Sequence, residues 1–195
     1  MVLEYYRNRY KSYGIIGGIF SFLNTLTQLL FFTIITFSFL FNIVIVDGSS
    51  MRNTLYENDC LLVFNFCYEV KNSDIVIISR NYENTEGGRN KNLYEKSIIK
   101  RVIATEGQKV AIKNGYVYVD DKILKESYVN TKTLPIDFTT AQIVPQGKVF
   151  VLGDNRKSSK DSRSIDIGMV DKRYIVGKIL LRFYPFEKIK LFLEV

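Results

Sequence analysis

The 195-residue chain contains no histidine. That absence excludes a Ser-His-Asp triad, a Cys-His dyad and any histidine-ligated zinc site. A serine activated in this chain must take a lysine or a carboxylate as its base. Cysteine is scarce as well. Cys60 and Cys67 are too few for a disulfide framework. Their odd spacing puts them on opposite faces of a continuous strand, and they read as two buried free thiols. The net charge of +7 is spread along the chain. With no basic stripe of interleaved aromatics, it gives no sign of nucleic-acid binding. The aspartates and glutamates show no metal-ligand spacing, so no cofactor is expected. Internal repeats and low-complexity tracts are also missing.

Charge itself is absent from one long stretch. From Ser12 to Val46 there is no Asp, Glu, Lys or Arg over 35 residues, and Leu26 to Val46 is a dense apolar run of 21. About 20 such residues cross the hydrocarbon core of a bilayer. A core helix of this length would show a polar face, and a cleaved signal sequence has a shorter apolar region and a small-residue cleavage site. The expected organisation is a basic cytoplasmic N-terminus at 1–13, a single-pass anchor at 14–46 and an outer domain at 47–195. The membrane span falls at about 24–45. Gly14 to Phe22 is either the first turns of that helix or an interfacial lead-in. Arg7, Arg9 and Lys11 against Glu4 favour a cytoplasmic N-terminus. A basic outer domain suits the surface of an anionic bilayer.

After Asp47 the pattern changes to short runs rich in branched and aromatic residues, at 60–66, 74–79, 97–104, 109–124, 149–152 and 175–184. Asn114-Gly115 supplies the positive-φ pair of a hairpin turn, and Asp120-Asp121 a weaker second one. The polar stretch 82–92, with two glycines, reads as a loop. The fold class is mainly β, an antiparallel sheet or barrel-like domain preceded by one transmembrane helix.

Three places could carry chemistry. Ser50 follows small residues just beyond the apolar segment, where its hydroxyl would lie near the bilayer surface. Lys100 sits between Ile98-Ile99 and Arg101-Val102-Ile103. Burial there would disfavour its charged form and leave a neutral amine able to take a proton from a serine. In 151–163 a strand runs into Gly, Asp, Asn, Ser and Arg residues that make rigid turns, with Asp161 and Arg163 able to pair. Taken singly, each also reads as a turn serine, a solvent-facing lysine and a surface turn.

Taken together, in this order and behind an apolar anchor, they resemble the bacterial type I signal peptidases, the Ser/Lys proteases that remove signal peptides. The resemblance runs through Gly48-Ser49-Ser50-Met51-Arg52-Asn53-Thr54-Leu55, Lys100-Arg101-Val102-Ile103, Gly153-Asp154-Asn155-Arg156, Ser159, Asp161-Ser162-Arg163, Gly168 and Ile175-Val176-Gly177-Lys178. The short single-anchor form is similar to Gram-positive members. The resemblance implies Ser50 as nucleophile, Lys100 as general base and Ser159 as the hydroxyl that orients the amine. It also implies Asp161 and Arg163 as a supporting pair, Asp154 and Arg156 as shapers of the turn, and the Ser50 N–H as an oxyanion donor. Met51, Leu55 and Ile99 would help line the pocket. The substrates implied are exported preproteins with small residues at −1 and −3, lying extended near Val44 to Gly48 and before Lys100. The setting implied is the cell membrane, with the catalytic domain on its outer face.

Three departures stand out. Asn53 occupies a position where the family usually has proline. Gly48 occupies one where some members have a hydroxyl that donates to the oxyanion. Residues 164–167 are four where two are usual. The alternative reading is a non-catalytic or narrowly dedicated homologue that assists assembly of surface proteins such as pili.

Overall fold

The computed structural model describes residues 2–79 and 97–192, and within the first helix the side chains of residue 14 and of 16 onward. The expected loop at 82–92 lies outside the described residues. The chain forms two units, 1–40 and 41–195.

The first unit is one helix, α1 (Val2–Leu40). Its Ile16–Leu40 stretch of 25 residues has a mean hydropathy of 1.6 and is long and apolar enough to cross a membrane. Phe31, Phe32, Ile34 and Ile35 are all at least half exposed. Leu29 and Leu30 are also more than half exposed, and at 100° per residue Leu29, Leu30, Phe31 and Phe32 point to all sides, so the helix has no polar face. Thr25, Thr27 and Thr33 donate their hydroxyls to the carbonyls of Ser21, Leu23 and Leu29, one turn back. Each hydroxyl is thereby satisfied within its own helix, as an apolar solvent requires.

The helix stops at Leu40, earlier than the expected span end at 45. Residues Phe41–Ile45 form strand β1 instead. Hydropathy alone cannot separate the two. The distinction lies in the β-branched run Ile43-Val44-Ile45, which pairs antiparallel with β2 (Cys60–Phe64) in the register Phe41–Phe64 to Ile45–Cys60.

The second unit holds two antiparallel sheets. The larger has the order β1-β2-β11-β3-β4-β9-β10, with β12 (Lys190–Leu191) beside β11 (Ile175–Tyr184). Here β3 is Ile75–Ser79, β4 Ser97–Thr105, β9 Lys148–Leu152 and β10 Val170–Asp171. The smaller sheet has the order β7-β6-β5-β8, made of Lys122–Ile123, Tyr116–Val119, Lys109–Lys113 and Gln142–Ile143. Both hairpin turns form. Asn114 and Gly115 have φ of 54° and 87°, and Asp120 and Asp121 have 50° and 61°. Asp120 tolerates this conformation because its carboxylate accepts the Lys109 N–H at 2.8 Å.

Strands without alternation are those buried on both faces. Along β3, Ile75 and Ile77 enter a core with Met51, Leu55 and Ile179, while Val76 and Ile78 enter a second with Val102 and Val151. Along β9, Val149 and Val151 face that second core, and Phe150 and Leu152 a third with Ile103 and Phe138. The cysteine expectation fails at one residue. Strand β2 ends at Phe64, so Cys67 lies in the following turn with φ of 36° and its side chain is exposed. Cys60 is half-buried, and both thiols are free.

Close packing fixes β11 at Gly177. A Cβ there would lie 2.7 Å from the Phe64 carbonyl oxygen and 2.7 Å from Val63. Gly177→Ala should therefore lower stability by about 2 kcal/mol through overpacking, read as a drop in the thermal midpoint of the full chain in detergent. An unchanged midpoint would show that β2 and β11 separate freely enough to admit a methyl group.

Candidate active site

Ser50 sits where β1 leaves the sheet. The chain is held there by Val46, whose N–H donates to Asp59 O and whose carbonyl accepts from Asn58 N, both at 2.9 Å. Gly48 turns the backbone with φ of 96°, a conformation that favours glycine. A helical turn follows, in which Thr54 N and Leu55 N both donate to the Met51 carbonyl. Met51 and Leu55, four residues apart, share one face of that turn and are buried in the same core. Their burial aims Ser50 away from the core. Asn53 has φ of 90° and donates its side-chain amide to the Tyr128 carbonyl at 3.3 Å. Proline cannot adopt that φ, so the turn here is built differently from one carrying proline.

Lys100 comes from β4. Its neighbours Ile98 and Val102 belong to the second core and Ile99 packs on the first. The lysine is 2% exposed. Its Nζ lies 2.9 Å from Ser50 Oγ and donates to the Ile99 carbonyl at 3.1 Å.

The third contributor is the segment from Gly153 to Arg163. Asp161 and Arg163 form a bidentate pair at 2.8 and 2.9 Å, with both side chains buried. Asp161 also accepts the Gly153 N–H at 3.0 Å. Arg163 donates further to the carbonyls of Arg156, Ser159 and Leu134. Asp154 is held by Arg101 through two hydrogen bonds of 2.9 and 2.7 Å and by the Thr54 hydroxyl. Arg156 donates to the Gly153 carbonyl, to Thr133 and to both oxygens of Glu126. Gly153 lies against Ser50: a Cβ there would come within 2.6 Å of the Ser50 carbonyl oxygen and 2.5 Å of Ser159 Cβ. Among the described residues the buried hydroxyl of Ser159 has no hydrogen-bond partner, and the Lys100 amine donates to the Ile99 carbonyl.

These elements border a cleft of about 420 Å³. One wall runs from Val44 through Met51, the other from Ser97 to Lys100, and Ile77, Ser158, Lys160 and Ile167 complete it. Ile167 comes from the longer 164–167 segment. Met51 and Ile99 thus face the cleft. Leu55 does not: it is fully buried behind Met51. Among the described residues, β9 pairs with β4 only from Arg101 onward, and β1 has a partner on one side only. The cleft therefore lies between two strand edges with backbone groups available.

Several polar partners were not foreseen from the sequence. Asn155 donates its backbone N–H to Ser50 O and its side chain to Ser49 O, each at 3.0 Å. Glu126, Thr133 and Tyr128 come from the loop after β7. Arg101 stacks on the Tyr128 ring at 3.9 Å. Burial first, and then the Glu126 carboxylate, pushes the Tyr128 phenol above its ordinary range. It therefore stays protonated and donates to Glu126 at 3.1 Å. Nothing local in the sequence marks these residues, whose partners are tens of positions away.

Residues 19–184 match the family model described as signal peptidase, peptidase S26. Curated relatives agree. A signal peptidase I of Bacillus licheniformis is 32% identical over 78% of this chain and 82% of its own. Signal peptidase I T of Bacillus subtilis is 35% identical over 78% of each. Signal peptidase IB of Staphylococcus aureus is 32% identical over 74% of this chain and 78% of its own. A solved signal peptidase I from Enterococcus faecalis V583 aligns over 57% of this chain and 97% of its own, at 24% identity and a TM-score of 0.44. With the match running from inside the apolar helix to the end of β11, the chain belongs to the signal peptidase family, peptidase S26.

Proposed function

We propose that this enzyme is anchored in the cell membrane by α1, with its N-terminus cytoplasmic and its β domain outside, and cleaves exported preproteins by a Ser50/Lys100 mechanism. The observation that carries the reading is the 2.9 Å approach of a 2%-exposed lysine amine to a cleft serine hydroxyl. Burial disfavours the ammonium form. A neutral amine has one lone pair and two N–H groups. The Ile99 carbonyl takes one N–H, which leaves the lone pair for the Ser50 proton.

In this scheme Ser50 Oγ attacks the scissile carbonyl carbon while its proton passes to Lys100 Nζ. The oxyanion of the tetrahedral intermediate accepts from the Ser50 N–H. The Lys100 ammonium then protonates the leaving amine, and the C–N bond breaks to give an ester on Ser50. Water, deprotonated by Lys100, hydrolyses that ester. Substrate binds as an added strand between the edges of β1 and β4, and the apolar walls at Met51, Ile77 and Ile99 admit small side chains.

Cleavage of a precursor with an Ala-x-Ala site, in lipid or detergent, tests the assignment. Ser50→Ala and Lys100→Met should each lose at least ~10³-fold in kcat/KM, and cleavage that survived both would remove this site from the chemistry. For the wild type, kcat/KM should rise with pH and level off below the ordinary lysine value of about 10.4. A profile still rising beyond pH ~11 would match an unperturbed lysine and count against the buried base.

Ser159 is proposed to orient the Lys100 amine. Its unsatisfied hydroxyl is consistent with a donor kept for the reacting state. Ser159→Ala should lower kcat by about 10- to 100-fold, while the unfolding midpoint stays level or rises, because a buried orphan hydroxyl is removed. Full activity in that variant would take Ser159 out of the mechanism. Gly153→Ala should reduce kcat at least as severely, since the new methyl must displace the Ser50 carbonyl. A variant with a native midpoint and native kcat would show that Gly153 does not set the nucleophile's position.

A further inference from the structure

The second large concavity of the β domain, about 630 Å³, lies behind the wall of the cleft. The two share one turn of 3₁₀ helix, Arg156–Ser158. Arg156 and Lys157 line this cavity, while Ser158 lines the cleft. Its other side is the loop that carries Lys132, Leu134 and Ile136.

Three observations distinguish this surface from an ordinary loop. Ile136 has φ of 54°, which is an outlier for a β-branched residue, and backbone strain of this kind clusters at functional positions. The conformation is imposed by its neighbours. Asp137 N donates to the Arg163 carbonyl, Phe138 N to Pro135 O, and the Asp137 side chain accepts from Ile165 N. The turn sets Phe138 into the third core, while the apolar side chains beside it stay in solvent: Leu134, Ile136 and Ile165 are 67%, 49% and 84% exposed. The charge is also one-sided. Among the described residues, no carboxylate lines the cavity. Arg156 and Arg163 are matched beneath it by Glu126 and Asp161, whereas Lys132 and Lys157 are exposed and have no carboxylate partner among the described residues.

We propose that this cavity is a docking site for an extended segment of the exported protein, apolar and acidic in sequence, separate from the residues that flank the cut. Leu134 and Ile136 receive its apolar side chains, and Lys132 and Lys157 pair with its carboxylates. The proposal rests on the peptidase reading for the identity of the occupant. The shared wall at Arg156–Ser158 lets one chain occupy both places. Such a site lowers KM for precursors that carry the segment and leaves kcat unchanged.

The test separates docking from cleavage. A fluorescein-labelled peptide of alternating Glu and Leu residues, without a cleavage site, is titrated by anisotropy into the full chain in neutral detergent micelles, in the Ser50→Ala background. Binding should weaken about tenfold in Lys157→Glu and with added salt. A peptide with Lys in place of Glu should bind the wild type poorly and Lys157→Glu better. Ile136→Gly removes the apolar contact and relieves the strained φ. It should weaken binding with the thermal midpoint level or raised, so misfolding cannot explain the loss. Equal binding of the acidic and basic peptides, or unchanged affinity in both variants, overturns the docking site. Absence of proteolysis in the wild type, with binding intact, overturns the peptidase reading alone.

Discussion

The bidentate bond between Asp161 and Arg163 is the interaction on which the site's geometry depends. Both groups are fully buried, so neither can lose its partner without leaving an unpaired charge in the interior, at a cost of about 3–5 kcal/mol. The pair itself is weak evidence for stability, because desolvation offsets most of the attraction. Its effect is on shape. Asp161 fixes the Gly153 N–H, and Arg163 gathers three carbonyls from two loops. Gly153 then meets the Ser50 carbonyl with no room for a side chain. The position of Ser50 is thus passed through contacts from an ion pair that touches neither Ser50 nor Lys100.

The same device recurs around the serine. Arg101 holds Asp154, which accepts from Thr54; Arg182 donates to Asp59 and to the Thr54 carbonyl. Asn155 holds Ser49 and Ser50 from above. The turn after Ser50 is therefore fastened on three sides, by the buried Arg101–Asp154 and Arg182 groups and by the half-buried Asn155. Arginine suits this task because its planar fork satisfies a carboxylate and a carbonyl at once and keeps its charge when buried. A lysine readily becomes neutral in similar surroundings. The structure places arginines where a charge must persist and a lysine beside the serine, where the proposed chemistry needs the charge to come and go.

Much of this arrangement was legible in the sequence, and what was missed has a common cause. The hairpins at Asn114-Gly115 and Asp120-Asp121, the strand within 74–79 and the polar turn within 151–163 are local patterns, written in consecutive residues. The junction at Leu40 was misplaced because hydropathy is the same for a membrane helix and an edge strand. Only β-branching distinguishes Ile43-Val44-Ile45. Leu55 was expected at the pocket, but helical spacing puts it directly behind Met51. Glu126, Thr133, Tyr128 and Asn155 have partners 23 to 106 positions away, and no local pattern carries that information. Ser159 was expected to touch the amine. The arrangement with an unsatisfied hydroxyl depends on side-chain rotation, which a sequence does not specify.

Strand edges link the fold to the proposed substrate preference. Exposed edges invite unwanted pairing, and proteins keep them short. Here two short edges, near Val44 to Ile45 and Ser97 to Ile99, line one cleft. A peptide completing both must be extended, and in an extended chain alternate side chains share a face. The residues at −1 and −3 therefore point the same way, toward walls made by Met51, Ile77 and Ile99, while the residue between them points outward. Strand geometry and a shallow apolar floor support the proposed preference for small residues at two alternate positions, with latitude between. The longer 164–167 segment adds Ile167 to that floor. In the proposed reading, this segment therefore stands where the size of a substrate side chain would be judged.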